Sequence, residues 1–303
     1  MNRRETSSSA GYASEAYVRR RPHVLLEIAS TIIRHKPLGL IGASIILFFG
    51  SVAILAPLLA PHSYDLRVGR PFLGPGQEGF LLGTDYVGRD VLTRLMYGAR
   101  SSLLVGLVTT LLGTGGAAFI GIVSGYAGRG LDLLVQRLVD AVQAFPGLVL
   151  ILAIISVFGT GLLDLVVTLA SLIAAGQSRI VRSATMAVKE EVYIEAARSI
   201  GAGPGRIIFR HILPNVFAPI IIIATTTLGG VILIEAALSF LGLGVPPPMP
   251  TWGGMLSGRA LTAFNQSPWL AVFPGLALTL TVFGFNMLGD ALRDVLDPKL
   301  RGR

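Results

Sequence analysis

Apolar residues in this chain fall into long blocks, and polar and basic residues are confined to the stretches between them. Blocks over about Leu38 to Leu59, Leu103 to Val123, Val216 to Leu243 and Leu270 to Leu288 reach the roughly 20 residues needed to cross a bilayer core as helices. Two shorter blocks, about Gly147 to Phe158 and Leu162 to Ala175, complete a set of six expected spans. The third is short unless it continues back through Asp140. Leu131 to Ala144, just before it, is amphipathic and carries Asp132, Arg137 and Asp140. Strict alternation over about 10 residues, the mark of a membrane β-barrel, does not occur. The pattern therefore predicts an all-α polytopic membrane protein.

The boundaries divide the 303 residues into a polar N-terminal tail over 1–36, a first span over 37–61 and an outer segment over 62–99. A five-helix core over 100–293 and a short C-terminal tail over 294–303 follow. Residues 1–22 read as disordered. Val24 to Ile33 has the makings of a short interfacial helix. Residues 1–36 are too polar, and too long before the first apolar run, for a cleavable secretion signal.

Composition supports the membrane class. Mean hydropathy is +0.69 and charged residues make up 14%, against roughly 25% in soluble proteins. The net charge of +8 would suggest nucleic acid in a soluble protein; here it follows the excess of Lys and Arg in cytoplasmic loops. With both ends cytoplasmic, that side receives Arg179, Arg182, Lys189, Arg198, Arg206 and Arg210, besides the basic termini. The outer side keeps Arg67, Arg70, Arg89, Arg94, Arg100 and Arg259.

The longest polar interruption in the second half is Tyr193 to Asn215. It reads as two short helices with a bend. Glu195 to Ile200 are mostly helix formers, Gly201 and Gly203 supply the stop, and Pro204 suits the first turn of the next helix. In that second helix Ile208 and Ile212 share one face, Arg206 and Arg210 another. Pro214 is expected to bend or end it. Glu195 is placed to bond backbone donors or an arginine at the bend.

This stretch resembles the EAA loop of binding-protein-dependent ABC importer permeases. Glu195-Ala196-Ala197, Gly201 and Leu213-Pro214 stand at the family spacing, although His211 occupies a position where many members have Ile. Three further stretches resemble the peptide/nickel subclass, second permease type: Leu82 to Arg100, Glu235 to Met255 and Gly289 to Arg301. Together the resemblance covers nearly everything from residue 30 onward. It implies a type I importer permease fold of six transmembrane helices, in a bacterial or archaeal cytoplasmic membrane. It also implies a second, homologous permease forming a heterodimer, two ATPase subunits and an extracytoplasmic substrate-binding protein. The loop, residues 190–215, would couple to an ATPase through Glu195, Ala196, Ala197, Arg198, Gly201, Pro204, Arg206, Arg210, Leu213 and Pro214. The subclass carries di- and oligopeptides, nickel complexes and oligosaccharides, so the substrate stays open.

Candidate chemistry is sparse. No Cys is present, so thiol chemistry and Cys-ligated metals are excluded. A P-loop needs Gly directly before Lys, but Lys36, Lys189 and Lys299 follow His35, Val188 and Pro298. No catalytic residue and no bound cofactor are expected; ATP and Mg belong to the partner subunits. His23, His35, His62 and His211 lie far apart, mostly near membrane ends, and form no expected metal site. Asp85 and Asp90 offer too few oxygens for calcium. Thr84 or Asp85 is placed to cap a helix, and Asp90 and Arg94 are spaced as a surface i,i+4 pair.

Glu235 is the one acid well inside a span. Either it belongs to a pathway or gate, or it is paired with a neighbouring helix or sits close to the outer interface. Its short distance from the outer loop favours the second reading. Asn286 reads as helix–helix glue. Trp252 and Trp269 read as interfacial anchors of the outer loop. Two other classes fit less well. An ion-coupled secondary transporter expects inverted repeats and several intramembrane ionisable residues, and a membrane enzyme expects clustered nucleophiles or metal ligands.

Overall fold

The structure is a computed structural model that describes residues 36–159, 161–258, 262–263 and 265–296. The expected tail and interfacial helix before residue 36, the stretch from Asp297 on and Arg259 lie outside the described residues. The long apolar blocks become α1 (Pro37–Leu59), α2 (Val91–Ala127), α5 (Leu162–Lys189), α8 (Leu213–Phe240) and α10 (Trp269–Leu296). Each is long and apolar enough to cross a membrane, α8 together with the turns from Pro204 that lead into it. Between α2 and α5 lie α3 (Arg129–Gln143) and α4 (Gly147–Phe158), bent by 89°.

Several helices are longer than the apolar blocks suggest. The 37 residues of α2 span about 55 Å at 1.5 Å per residue, well beyond a bilayer core of about 30 Å. Its first turns therefore belong to the segment expected to be an outer loop, and α5 runs on from Ala175 to Lys189. Hydropathy reports where a helix is apolar. Its ends are set by caps: Asp90 accepts from the Thr93 backbone N–H at 3.0 Å to start α2.

The third span, expected to be short unless it continues back through Asp140, does not run straight back through that residue. Pro146 lacks the N–H an unbroken helix would need there, and α4, with 12 residues, covers about 18 Å. The amphipathic α3 is held to α5 by ion pairs. Arg182 binds Asp132 with two bonds of 2.6 and 2.5 Å, Arg179 pairs with Asp140, and Gln143 donates to the Ala175 carbonyl at 3.3 Å.

The most extensive packing is between α2 and α5. Gly116 and Gly121 bring the backbones together: a Cβ at Gly121 would lie 2.6 Å from the Ser178 carbonyl oxygen, and one at Gly116 2.9 Å from Ala174. Helix α1 crosses α10 where Gly42 meets Gly284, and Lys36 ties its start to Asp294 at 2.6 Å. The chain connections thus gather residues 60–90, Gly159 and Gly161, and residues 241–258 and 265–268 at one end of the bundle. The α2–α3 turn, residues 190–212 and the end of α10 lie at the other.

At the first of these ends, the segment before α2 is organised by Asp85. Its carboxylate accepts from the backbone N–H groups of Val87 and Arg89 and pairs with the Arg89 side chain at 2.7 Å. Arg94 lies 3.6 Å from Asp85 and donates to the Tyr64 carbonyl at 3.0 Å. The expected surface pair between Asp90 and Arg94 does not form. Both are buried, Asp90 is the α2 cap, and Asp85 is the acid that faces Arg94.

After α8 the chain leaves the bundle at Leu241 and re-enters it as α9 (Trp252–Leu256). Trp252 is not an interfacial anchor. It is fully buried, donates through Nε1 to the Leu95 carbonyl at 3.1 Å, and meets Phe49 edge to face at 5.3 Å. Its neighbour Gly253 has no room for a side chain, because a Cβ would overlap the Ala236 backbone.

Candidate functional site: a helical knob at one end of the bundle

Residues 190–215 fold as α6 (Val192–Ser199), a turn, α7 (Pro204–Ile207) and a π turn over Ile208–Ile212 that leads directly into α8. Apolar side chains fix this knob to the bundle. Ile194, Ile207, Ile212 and Val216 are buried against Ile122 of α2 and Val181 of α5, where each buried aliphatic side chain contributes about 1.5–3 kcal/mol.

The turn is built as its glycine and proline require. Gly201 has φ +80, the left-handed region, and the Ala202 N–H closes back on the Ala197 carbonyl at 3.0 Å. Pro204 takes the first position of α7. Pro214, by contrast, neither ends nor breaks the helix. The preceding π turn, with Leu213 N–H bonding the Ile208 carbonyl, places the proline in the first turn of a continuous α8. The Asn215 side chain then donates to the His211 carbonyl at 2.6 Å, and also to the Tyr193 hydroxyl at 3.2 Å. The Tyr193 and His211 rings lie 6.1 Å apart, so the departure at His211 serves contact between the two helices. Partial burial, with the Glu191 carboxylate nearby, raises the Tyr193 hydroxyl above the ordinary tyrosine pKa, which keeps it protonated.

Of the expected coupling residues, Glu195, Ala196, Arg198, Gly201, Pro204, Arg206, Arg210 and Pro214 are exposed, Leu213 is half-buried and Ala197 is buried. Among the described residues no ion pair or side-chain hydrogen bond holds Glu195, so its expected partner at the bend is absent and its carboxylate stands free on the surface. Arg198 turns the other way, its guanidinium 5.8 Å from the Tyr126 ring at the end of α2, with Lys189 also 5.8 Å from that ring. Sequence reading missed the apolar part of the surface. Ile200 is 87% exposed, Val192 79% and Phe209 73%. Three large apolar side chains of the knob are thus left uncovered by the other described residues of this chain. The signal was present in Ile200, an apolar residue directly before the turn glycine.

Glu235 and Asn286 are not brought together with this knob. Glu235 is fully buried. Its Oε1 accepts from the Ser239 hydroxyl at 2.7 Å, the Ser102 and Thr251 hydroxyls lie against the same carboxyl, and Oε2 has no hydrogen-bond partner among the described residues. The carboxyl thus sits in the packing between α2, α8 and α9, where it touches no open surface of this chain. Gln at this position should therefore keep the fold, whereas Leu leaves buried hydroxyls unpaired at a cost of about 1–3 kcal/mol. Thermal unfolding of the detergent-solubilised importer complex measures this. Equal loss of stability in Glu235→Gln and Glu235→Leu would refute a hydrogen-bonding role. Asn286 is exposed on α10, and its Oδ1 would lie 3.0 Å from a Cβ at Gly229 of α8, a close contact between those helices. Among the described residues no group of three or more His, Asp or Glu is placed to hold a metal.

The chain matches the family described as "Binding-protein-dependent transport system inner membrane component" over residues 117–302. It also matches "N-terminal TM domain of oligopeptide transport permease C" over residues 26–75. The dipeptide transport system permease protein DppC of Alkalihalophilus pseudofirmus is 44% identical over 274 residues, covering 89% of this chain and 88% of that protein. The glutathione transport system permease protein GsiD of Pectobacterium atrosepticum is 39% identical over 257 residues, 84% of this chain and 85% of that protein. The di/tripeptide transport system permease protein DppC of Pseudomonas aeruginosa is 39% identical over 273 residues, 88% of this chain and 90% of that protein. Among solved structures, the MetNI methionine ABC transporter in inward-facing conformations aligns with a TM-score of 0.52 at 19% identity, over 67% of this chain and 96% of that one. At that identity the likeness concerns the fold. With a helical bundle, a helical knob whose residues stand at the expected spacing and relatives matched over most of their length, this chain belongs to the binding-protein-dependent transport system inner membrane component family, as a multi-pass permease subunit of an ABC importer.

Proposed function

We propose that this permease forms half of the translocation pathway of a peptide importer, with a homologous second permease as the other half. Two ATPase subunits bind ATP and Mg, and an extracytoplasmic binding protein delivers the substrate; no nucleic acid takes part. The observation that carries the substrate class is the relatives' common description as permeases for dipeptides, di/tripeptides and glutathione, at 39–44% identity over most of the chain. Both termini lie in the cytoplasm, a reading supported by the basic residues around the knob. The knob is the ATPase-coupling element. Its exposed Ile200, Phe209 and Val192 enter an ATPase cleft, flanked by Glu195, Arg206 and Arg210. The buried aliphatic cluster beneath carries movement of the knob into α2, α5 and α8.

The test compares this chain alone with the reconstituted importer. The purified chain in liposomes should hydrolyse no ATP, and the complete complex with its binding protein should take up di- and tripeptides when ATP is supplied on the ATPase side. Robust ATP turnover by the pure chain overturns the partner-ATPase reading. A complex that transports only nickel complexes or oligosaccharides overturns the peptide reading.

A further inference from the structure

At the end of the bundle opposite the knob lies a cavity of about 330 Å³, lined in part by Tyr64, Tyr97, Arg100, Ser101, Met249 and Pro250. Its volume is at the lower end of the range of small-ligand sites, roughly 300–1,000 Å³. Its walls come from four separated parts of the chain, and two of them are fixed from behind. The Tyr64 backbone is held through its carbonyl by Arg94 at 3.0 Å. Arg94 is itself buried beside Asp85, and the Tyr64 ring lies 4.8 Å from that of Tyr97. Met249 and Pro250 lead directly into Thr251 and the buried Trp252, which pin that side of the mouth.

Among the described residues of this lining, Arg100 is the only charged side chain. Of the arginines over residues 62–99, Arg89 and Arg94 face Asp85 and Arg70 lies 4.0 Å from Glu78, while Arg67, near Tyr64 in sequence but not in this lining, makes no ion pair among the described residues. Arg100 likewise has none among the described residues, and its side chain is exposed to the cavity mouth. The adjacent Ser101 hydroxyl donates to the Tyr97 carbonyl at 3.2 Å. A guanidinium presents a fork of N–H donors that fits a carboxylate with two parallel bonds. The rest of the lining is aromatic and aliphatic, which suits side chains of varied shape. With a cation and no acid among its described lining residues, the cavity suits the anionic end of a zwitterion.

We propose that this cavity receives the C-terminal carboxylate of the incoming peptide, with Arg100 as its binding residue at the mouth of the pathway. The proposal rests on the peptide and orientation readings above. A lipid phosphate offers the same kind of anionic oxygen to an arginine near a membrane surface, so the experiment separates the two sources.

The complete importer, with its binding protein, is reconstituted in vesicles and given an isotope-labelled mixture of di- and tripeptides. Losing a charge-assisted bond of this type should lower uptake by Arg100→Gln about tenfold or more, with Arg100→Lys in between because it keeps the charge without the fork. The binding protein should co-elute with both variant complexes as it does with wild type. The defect should be equal in vesicles of phosphatidylcholine and in vesicles containing phosphatidylglycerol. Undiminished uptake by Arg100→Gln overturns the site alone. Loss of binding-protein capture assigns Arg100 to docking and overturns it, and a defect confined to anionic vesicles assigns it to lipid and overturns it too. No peptide uptake by wild type overturns the peptide reading and this proposal together.

Discussion

Gly201→Asp is expected to abolish substrate uptake while the chain still inserts and accumulates at normal levels. Gly201 has φ +80, and a Cβ there meets nothing within 4 Å. The substitution therefore causes no clash. It imposes a left-handed backbone on a residue with a side chain, a strain of about 1–2 kcal/mol on a turn whose helices are anchored by Ile194, Ile207 and Ile212. The fold absorbs that cost. On the proposed coupling, transport does not, because a carboxylate beside Ile200 would have to be desolvated for the knob to enter an ATPase cleft, and an unpaired buried charge is far more costly. Uptake and ATPase pull-down are measured together. The ATPase should either detach or hydrolyse without transport. Glu195→Ala should do much less, since this exposed carboxylate makes no bond within the chain. Arg129→Ala, exposed at the α2–α3 turn outside the knob, should transport near normally. Normal transport by Gly201→Asp, or failure through lost accumulation alone, would leave the knob a plain connector.

The largest expected loss of stability is at Trp252. Trp252→Ala should destabilise the protein by about 3–5 kcal/mol, the usual cost of removing a large buried aromatic side chain. It deletes the contact with Phe49, leaves the Leu95 carbonyl without its donor and opens a cavity among α1, α2, α8 and α10. The effect should appear as a fall in the unfolding temperature of the detergent-solubilised importer complex and as reduced accumulation in the membrane. Trp269→Ala, at a partly exposed position at the start of α10, should cost much less. Equal effects would show that α9 is not an internal prop. The position of Trp252 also explains why the α8–α10 connection enters the bundle at all: a Trp with a satisfied N–H is one of the few side chains that gains from deep burial while keeping its polar group bonded.

Much of the bundle was legible along the chain, because a span announces itself through the mean polarity of some 20 neighbouring residues. The order of the spans, the amphipathic character of residues 131–144, the stop at Gly201 and the restart at Pro204 are properties of residues a few positions apart. So is the Glu195, Gly201, Leu213 spacing. What the tertiary structure decided are pairings between residues distant in sequence. Asp90 and Arg94 have the spacing of an ion pair, yet Thr93 and Asp85 are better placed and claim them. Pro214 has the local character of a helix terminator, but the π turn before it and the Asn215–Tyr193 contact carry the helix through. Residues 129–158 are apolar enough for one span, but Pro146 and the Asp132–Arg182 pair turn half of it aside. Trp252 has the composition of an interfacial anchor until Leu95 and Ser102, both some 150 positions earlier, supply its partners in the interior. Sequence determines which segments leave water, because that depends on local composition. Which polar groups meet once they have left depends on how the helices pack, and hydrogen bonds and ion pairs form only at the few ångströms that packing sets.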